Sequence, residues 1–185
     1  LFKDPNKLMK AVTDNSPDIL GLSYYMWNER LSQHVAECAK KINQNTITVI
    51  GGPSVARDSD IYKNILLLPN NPIDIIVLDQ GEKSFASIIK TVLKYGKDKK
   101  KCLSQGIDGC AIRLHETNDI VRGDLIKHKV YLNEIPSPYL AGYLDEFLAD
   151  GMLATFETVR GCPYACTFCG AGDVFYNKLI IRDEA

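Results

Sequence analysis

Three short, nearly unbroken apolar runs, each followed by a longer amphipathic stretch, constrain this chain most. They are residues 19–25 (Ile-Leu-Gly-Leu-Ser-Tyr-Tyr), 46–50 (Thr-Ile-Thr-Val-Ile) and 73–78 (Ile-Asp-Ile-Ile-Val-Leu). Between them, Leu31, Val35, Cys38, Ala39 and Ile42 recur at helical spacing. Residues 58–68 read as a short helix stopped by Pro69 and Pro72. Phe85, Ile88, Ile89, Val92 and Leu93 mark a third helix ending near Gly96. Strands apolar on both faces and separated by helices predict a parallel sheet covered on both sides, the doubly wound, Rossmann-like α/β arrangement.

In such sheets ligands sit at the carboxyl ends of the strands. Three loops leave those ends. The first holds Ser23, Tyr24, Tyr25, Met26, Trp27 and Asn28; the second Gly51, Gly52, Pro53 and Ser54; the third Asp79, Gln80, Gly81 and Glu82. Their glycines let backbone approach a ligand closely. Asn28, Ser54 and Glu82 could add polar contacts, and Ser54 or Ser59 could cap a helix. Gly and Ser are ordinary in the turns of any doubly wound domain, so these loops alone define no ligand.

The 185 residues suffice for one or two domains with a real core. Apolar content is 45% and the formal net charge is −1, which argues against a nucleic-acid or anionic-membrane footprint. No uncharged apolar run approaches the length of a membrane span. Nothing resembles a signal peptide, and six cysteines without a dense disulfide pattern suit a reducing, cytoplasmic setting.

Three of those cysteines fall within eight residues, in Gly161-Cys162-Pro163-Tyr164-Ala165-Cys166-Thr167-Phe168-Cys169-Gly170. Thiolates select zinc, copper(I) or iron–sulfur clusters. A structural zinc and an ordinary iron–sulfur cluster each want four ligands. Three thiolates with no fourth following suggest a site with one metal position open for chemistry. The alternative is half of a zinc knuckle completed elsewhere. His34, His115 and His128 are scattered, none lies beyond Cys169, and surface or packing roles are their default. Cys38, Cys102 and Cys110 read as buried or bystander thiols.

The Cys-x3-Cys-x2-Cys spacing, with aromatic Phe168 before the last cysteine, resembles the cluster loop of radical S-adenosylmethionine (SAM) enzymes. The resemblance implies that Cys162, Cys166 and Cys169 hold three irons of a [4Fe–4S] cluster. It also implies that SAM takes the fourth iron with Phe168 and Gly170 nearby, and that the reduced cluster cleaves SAM to a 5′-deoxyadenosyl radical. Such enzymes use an external electron donor of flavodoxin or ferredoxin type.

The three loops of the first hundred residues in turn resemble the cobalamin (B12)-binding domain that precedes many radical SAM domains. The resemblance implies that they surround a corrin, with Ser23, Tyr24, Tyr25, Met26, Trp27, Asn28, Gly51, Gly52, Pro53, Ser54, Gln80, Gly81 and Glu82 as contacts. Two departures stand out. The third loop reads Asp79-Gln80-Gly81-Glu82 where the family has Gly-Glu-Gly-Glu, and the family's first strand is absent ahead of residue 19. No Asp-x-His-x-x-Gly occurs, so that motif's histidine ligand to cobalt is missing and the large side chains at 24–27 could cover the lower face. The other reading of those side chains is packing between domains.

The expected layout is a B12-binding-type domain over residues 1–105, a hairpin and connector over 106–150, and the start of a radical SAM partial (β/α) barrel over 151–185. Within it, Lys97-Asp98-Lys99-Lys100-Lys101 reads as a solvated linker. Residues 107–114 and 120–121 form a hairpin around a polar turn. Residues 133–140 are extended by prolines, and Leu144, Phe147 and Leu148 suggest a short helix. Residues 152–159 read as the first barrel strand, delivering Arg160-Gly161-Cys162 to its carboxyl end. About 16 residues after Cys169 cannot build a barrel, since each strand–helix unit needs ~30. The expectation is therefore a fragment, inactive alone and able to self-associate through open edges.

For the parent, the resemblance implies a radical SAM enzyme, most simply a cobalamin-dependent methyltransferase acting on a small molecule or peptide. Ring rearrangement and cyclisation occur in the same group. The reading from another class is a non-enzymatic ligand- or partner-binding module with a zinc-stabilised cysteine tail.

Overall fold

The structure is a computed structural model that describes residues 4–55, 59–78, 80–96, 98–126, 131–145, 148, 154–169 and 179–183. The chain divides into two compact units, residues 1–128 and 129–185.

The first unit carries helix α1 (Pro5–Asn15), strand β1 (Ile19–Ser23), helix α2 (Glu29–Ile42), strand β2 (Ile47–Gly51) and helix α3 (Ser59–Leu66). Strand β3 (Ile75–Val77), helices α4 (Gly81–Tyr95) and α5 (Lys99–Leu103), and strands β4 (Cys110–Leu114) and β5 (Asp119–Arg122) follow. They form one five-stranded sheet in the order β1-β2-β3-β4-β5. The first three strands run parallel, pairing Ile19 with Ile47 and Val49 with Ile75; β4 and β5 then add antiparallel, pairing Ile75 with Ile112 and Ile112 with Val121. The sheet is thus mixed and only mostly parallel. The hairpin expected within the connector is its far edge.

The alternation of side chains across a strand explains the two cores. Ile50, Ile76 and Ala111 point to one face, where they meet Ala36 of α2 and Tyr62 and Leu66 of α3. Ile47, Val49, Ile75, Val77, Cys110 and Ile112 point to the other, where Ile88 of α4 and Cys102 and Leu103 of α5 cover them. Both faces being covered is why these strands read as continuous apolar runs. Helix α1 packs its Val12 against Val35 and Ala39 of α2.

Details differ from the periodicity. The buried stripe of α2 is Ser32, Val35, Ala36 and Ala39, and Ile42 is exposed at the helix end. In α4, Ile88 is buried with Ser84, whereas Leu93 lies on the surface. Cys102 and Cys110 are buried thiols, as expected; burial raises the Cys102 thiol.

The second unit holds a 3-10 turn (Leu132–Glu134) and two short strands, β6 (Val159–Arg160) and β7 (Ile180–Ile181), paired antiparallel. The strand expected over residues 152–159 is confined to β6; residues 154–158 carry no strand, and 152–153 lie outside the described residues. The partner of β6 is antiparallel, not the parallel neighbour a barrel would supply. Phe147 and Gly170 also lie outside the described residues.

Candidate functional site

The carboxyl ends of β1, β2 and β3 form one edge of the first unit, and the backbone there leaves little freedom. Tyr24 donates its N–H to the Gly51 carbonyl at 2.8 Å, extending the β1–β2 ladder past the strand end. Gly52 follows at φ 134°, where a Cβ would lie 2.9 Å from the Tyr24 carbonyl oxygen. Only glycine fits this turn without moving backbone. Pro53 and Ser54 are exposed beyond it, and Val55 turns back into the core.

Asn28 fastens the first loop. Its Oδ1 accepts from the Tyr25 N–H at 2.7 Å, and its Nδ2 donates to Ser23 Oγ at 2.8 Å. Ser32 Oγ donates to the Ser23 carbonyl at 2.7 Å, tying the strand end to α2. Asn28 thus has a structural task at a position expected to meet a ligand.

The four large side chains separate. Tyr24 is 3% exposed and belongs to the core beside Ala36, Ile50 and Val55. Its hydroxyl accepts from Gln33, and burial with the nearby Glu29 carboxylate pushes it well above the usual tyrosine range. The expectation that Tyr24 faces a ligand does not fit that burial. Trp27 instead stacks on Tyr25, ring centroids 4.6 Å apart and 16° from parallel, with the indole 76% exposed. Met26 beside it is exposed too. An exposed aromatic ledge therefore stands at the strand ends.

The third loop opens α4. Gln80 is nearly buried, Gly81 exposed and Glu82 half-buried; Asp79 lies outside the described residues. One turn in, the Ser84 hydroxyl is buried with no hydrogen-bond partner among the described residues. Gly109, at φ 73°, passes over it; a Cβ there would lie 2.3 Å from Ser84 Oγ. Nothing in the local pattern singled out Ser84, because the interaction is with a residue on the far side of α5.

The cysteine loop is the second candidate site. Val159 and Arg160 are held by β7, and Arg182 adds an N–H to the Thr158 carbonyl at 2.9 Å. Arg160 clamps Glu157 with Nε and Nη2 at 2.9 and 2.6 Å, which lowers the Glu157 carboxyl. Gly161, at φ 98°, turns the chain into Cys162. Cys162 is half-buried, Cys166 and Cys169 are exposed, and Cys169 donates its N–H to the Cys166 carbonyl at 3.1 Å. All three thiols are free, and among the described residues they do not converge on one point. Phe168 is 91% exposed beside them. Three soft thiolates on one exposed loop fit an iron–sulfur cluster as a donor set, and the cluster itself would have to gather them.

A third grouping escaped the sequence. Asp74, just before β3, is fully buried at the opposite, amino end of the parallel strands. Its Oδ2 takes the Thr48 N–H at 2.8 Å and the Thr48 hydroxyl at 3.0 Å. Lys40 from α2 bonds the same oxygen. Lys99 lies 3.0 Å and His115 Nε2 2.6 Å from Oδ1. Burial alone would raise this carboxyl, but the His115 hydrogen bond and the two lysine charges outweigh it and hold it well below the usual carboxylate range. Burial lowers Lys40 to about 8, against the attraction of Asp74. The 97–101 run is therefore no simple solvated linker, since Lys99 is anchored in the fold, and His115 has a definite partner.

No family model matches the chain. It is 30% identical over 96% of its length to the cobalamin-dependent radical SAM methyltransferase TokK of Streptomyces tokunonensis, covering 26% of that protein. It is 30% identical over 98% of its length to the 2-(S-pantetheinyl)-carbapenam-3-carboxylate methyltransferase of Streptantibioticus cattleyicolor, covering 27%. It is 31% identical over 96% of its length to an uncharacterized methyltransferase of Pyrococcus horikoshii, covering 36%. Over nearly all of its residues the chain is thus similar to a cobalamin-dependent radical SAM methyltransferase and to two further methyltransferases. It spans about a quarter to a third of the length of these relatives. Among the described residues no helix is long and apolar enough to cross a membrane.

Proposed function

We propose that this chain is the cofactor-presenting part of a radical SAM methyltransferase in which a corrinoid and a [4Fe–4S] cluster act together. The observation that carries the reading is the coexistence of two features. One is a sheet edge with a tight glycine turn at Gly51–Gly52 and a Tyr25–Trp27 ledge; the other is an exposed loop with three free thiols at Cys-x3-Cys-x2-Cys spacing. The similarity to cobalamin-dependent radical SAM methyltransferases over 96% of the chain supports joining them.

In this reading Cys162, Cys166 and Cys169 hold the cluster, and Phe168 shields SAM at its open iron. Gly52 lets the chain turn tightly against the Tyr24 carbonyl and so shapes the edge that a corrin-sized planar group would meet. Trp27, backed by Tyr25, offers it an apolar face, while Ser23 and Asn28 keep that loop in register rather than contacting it. When bound, these groups supply one-electron chemistry and a transferable methyl group; the protein positions them and excludes water. The substrate is a small molecule or peptide, and electrons come from a flavodoxin- or ferredoxin-type donor.

The test is reconstitution of the full-length protein with hydroxocobalamin under anaerobic conditions, followed by gel filtration and absorption spectroscopy. A retained corrin spectrum, lost or strongly weakened in Trp27→Ala, supports the assignment. No retained corrin would leave the first unit as a scaffold without cofactor.

A further inference from the structure

The amino end of the sheet, opposite the corrin edge, carries an open concavity of about 420 Å³ lined by Lys40, Lys99, Arg113, His115, Asn70 and Asn71, among others. Among the described residues none of its lining is acidic. Asp74 beneath is a carboxylate that the two lysines share. Below about pH 8 the three cations Lys40, Lys99 and Arg113 against one carboxylate leave two positive charges in a partly buried place. Lys40 and Lys99 are each only 17% exposed in their side chains, so water relieves that charge poorly.

The hydrogen-bond inventory shows the same surplus. Each ammonium has three N–H donors. Lys40 places two on Asp74 and the Thr46 carbonyl, and Lys99 two on Asp74 and the Gln44 carbonyl. Arg113 gives Nη1 to the Leu68 and Asn71 carbonyls at 3.3 and 3.4 Å, both long, and Nη2 to Asn118 at 3.0 Å. Its Nε is buried without a partner among the described residues. Donors and positive charge in excess, converging on one hollow, are what a doubly charged oxyanion satisfies.

A second concavity of about 360 Å³ adjoins the first through Lys99 and His115, with Leu103 and Leu114 in its wall and its lining carboxylate, Glu116, paired with Lys100 at 2.8 Å. It would accept a carbon portion attached to the anion.

We propose that the amino end of the sheet binds a phosphate-type oxyanion held by Lys40, Lys99, Arg113 and His115, and that phosphate monoesters, with their carbon portion beside Leu103 and Leu114, are the preferred ligands. The site is separate from the corrin edge and needs neither cofactor.

The experiment is titration of the full chain with inorganic phosphate and with phenyl phosphate in low-chloride buffer near neutral pH, read by calorimetry and by the ring-proton signals of His115. Both ligands should bind and shift those signals, with phenyl phosphate several-fold tighter. Arg113→Gln should weaken phosphate about tenfold, the order expected for one charge-assisted pair. Lys94→Gln, which removes a lysine outside both concavities, should leave binding unchanged. Absence of binding and of any His115 shift at millimolar phosphate overturns the proposal, whether or not the variants fold. Equal weakening by Lys94→Gln and Arg113→Gln would reduce it to non-specific charge. Phosphate binding without a gain for phenyl phosphate would remove the monoester preference.

Discussion

The Asp74 carboxylate lies 2.6 Å from His115 Nε2 across 41 residues of sequence, buried at the end of the sheet where Lys40 and Lys99 also reach it. This joins α2, β3, α5 and the β4–β5 turn through one side chain. Replacing Asp74 by Asn or Ala leaves two lysines buried without their counter-charge. The expected cost is about 3–5 kcal/mol, the range for breaking a buried pair from one side. Chemical denaturation followed by circular dichroism checks it, and a cost under ~1 kcal/mol would show that the cluster is solvated.

The same group sets an acid limit. The Asp74 carboxyl is lowered in the folded state, so its contribution is present above the ordinary aspartate range and disappears as pH falls through and below it. Stability should drop from about pH 5 downward, and Asp74→Asn should flatten that limb. Lys40 acts at the other end. Its folded value of about 8 lies below the ordinary lysine value of 10.5, so the folded state gives up the proton first. Its burdened charge costs stability below about 8, and that cost is relieved as pH rises from there toward 10.5. Lys40→Met should remove the alkaline gain. Denaturation midpoints across pH measure both limbs.

Gly52→Ala should disturb the carboxyl edge of the parallel strands more than the core. The new Cβ would stand 2.9 Å from the Tyr24 carbonyl at a backbone φ of 134°. The strain expected is roughly 1–3 kcal/mol. Hydroxocobalamin retention by the full-length protein should fall by more than the loss of stability predicts, and unchanged retention would remove this turn from the site.

Ile50→Ala is the control for packing. Ile50 is fully buried against Ala36, Tyr62 and Leu66. The loss should be about 2–5 kcal/mol without a specific change in cluster or corrin content. Thermal melts with metal analysis of the folded fraction separate these effects.

Much of the fold was legible because it is locally encoded. The apolar runs around Ile19, Val49 and Ile76 mark strands covered on both faces, and Gly96 ends α4 with its N–H on Val92. The β4–β5 hairpin shows in its polar turn, but its antiparallel docking on β3 does not, because pairing direction depends on where α4 and α5 deliver the chain. The roles of Lys99 and His115 are hidden from the sequence for a related reason. A lysine in a charged run looks solvated until a carboxylate 25 positions earlier is brought beneath it. The cysteine spacing was fully visible, whereas residues 154–158 of the expected strand are not in a strand and only Val159 and Arg160 pair, since an alternating pattern needs a neighbouring strand to pair with.

The most direct measurement of the central claim is metal and sulfide analysis of the full-length protein purified anaerobically, with electron paramagnetic resonance of the reduced sample with and without SAM. Iron and sulfide near the content of one [4Fe–4S] cluster are expected, with a signal altered by SAM and loss of both in Cys162→Ala, Cys166→Ala and Cys169→Ala. One zinc with no iron, or a reduced cluster indifferent to SAM, would contradict it.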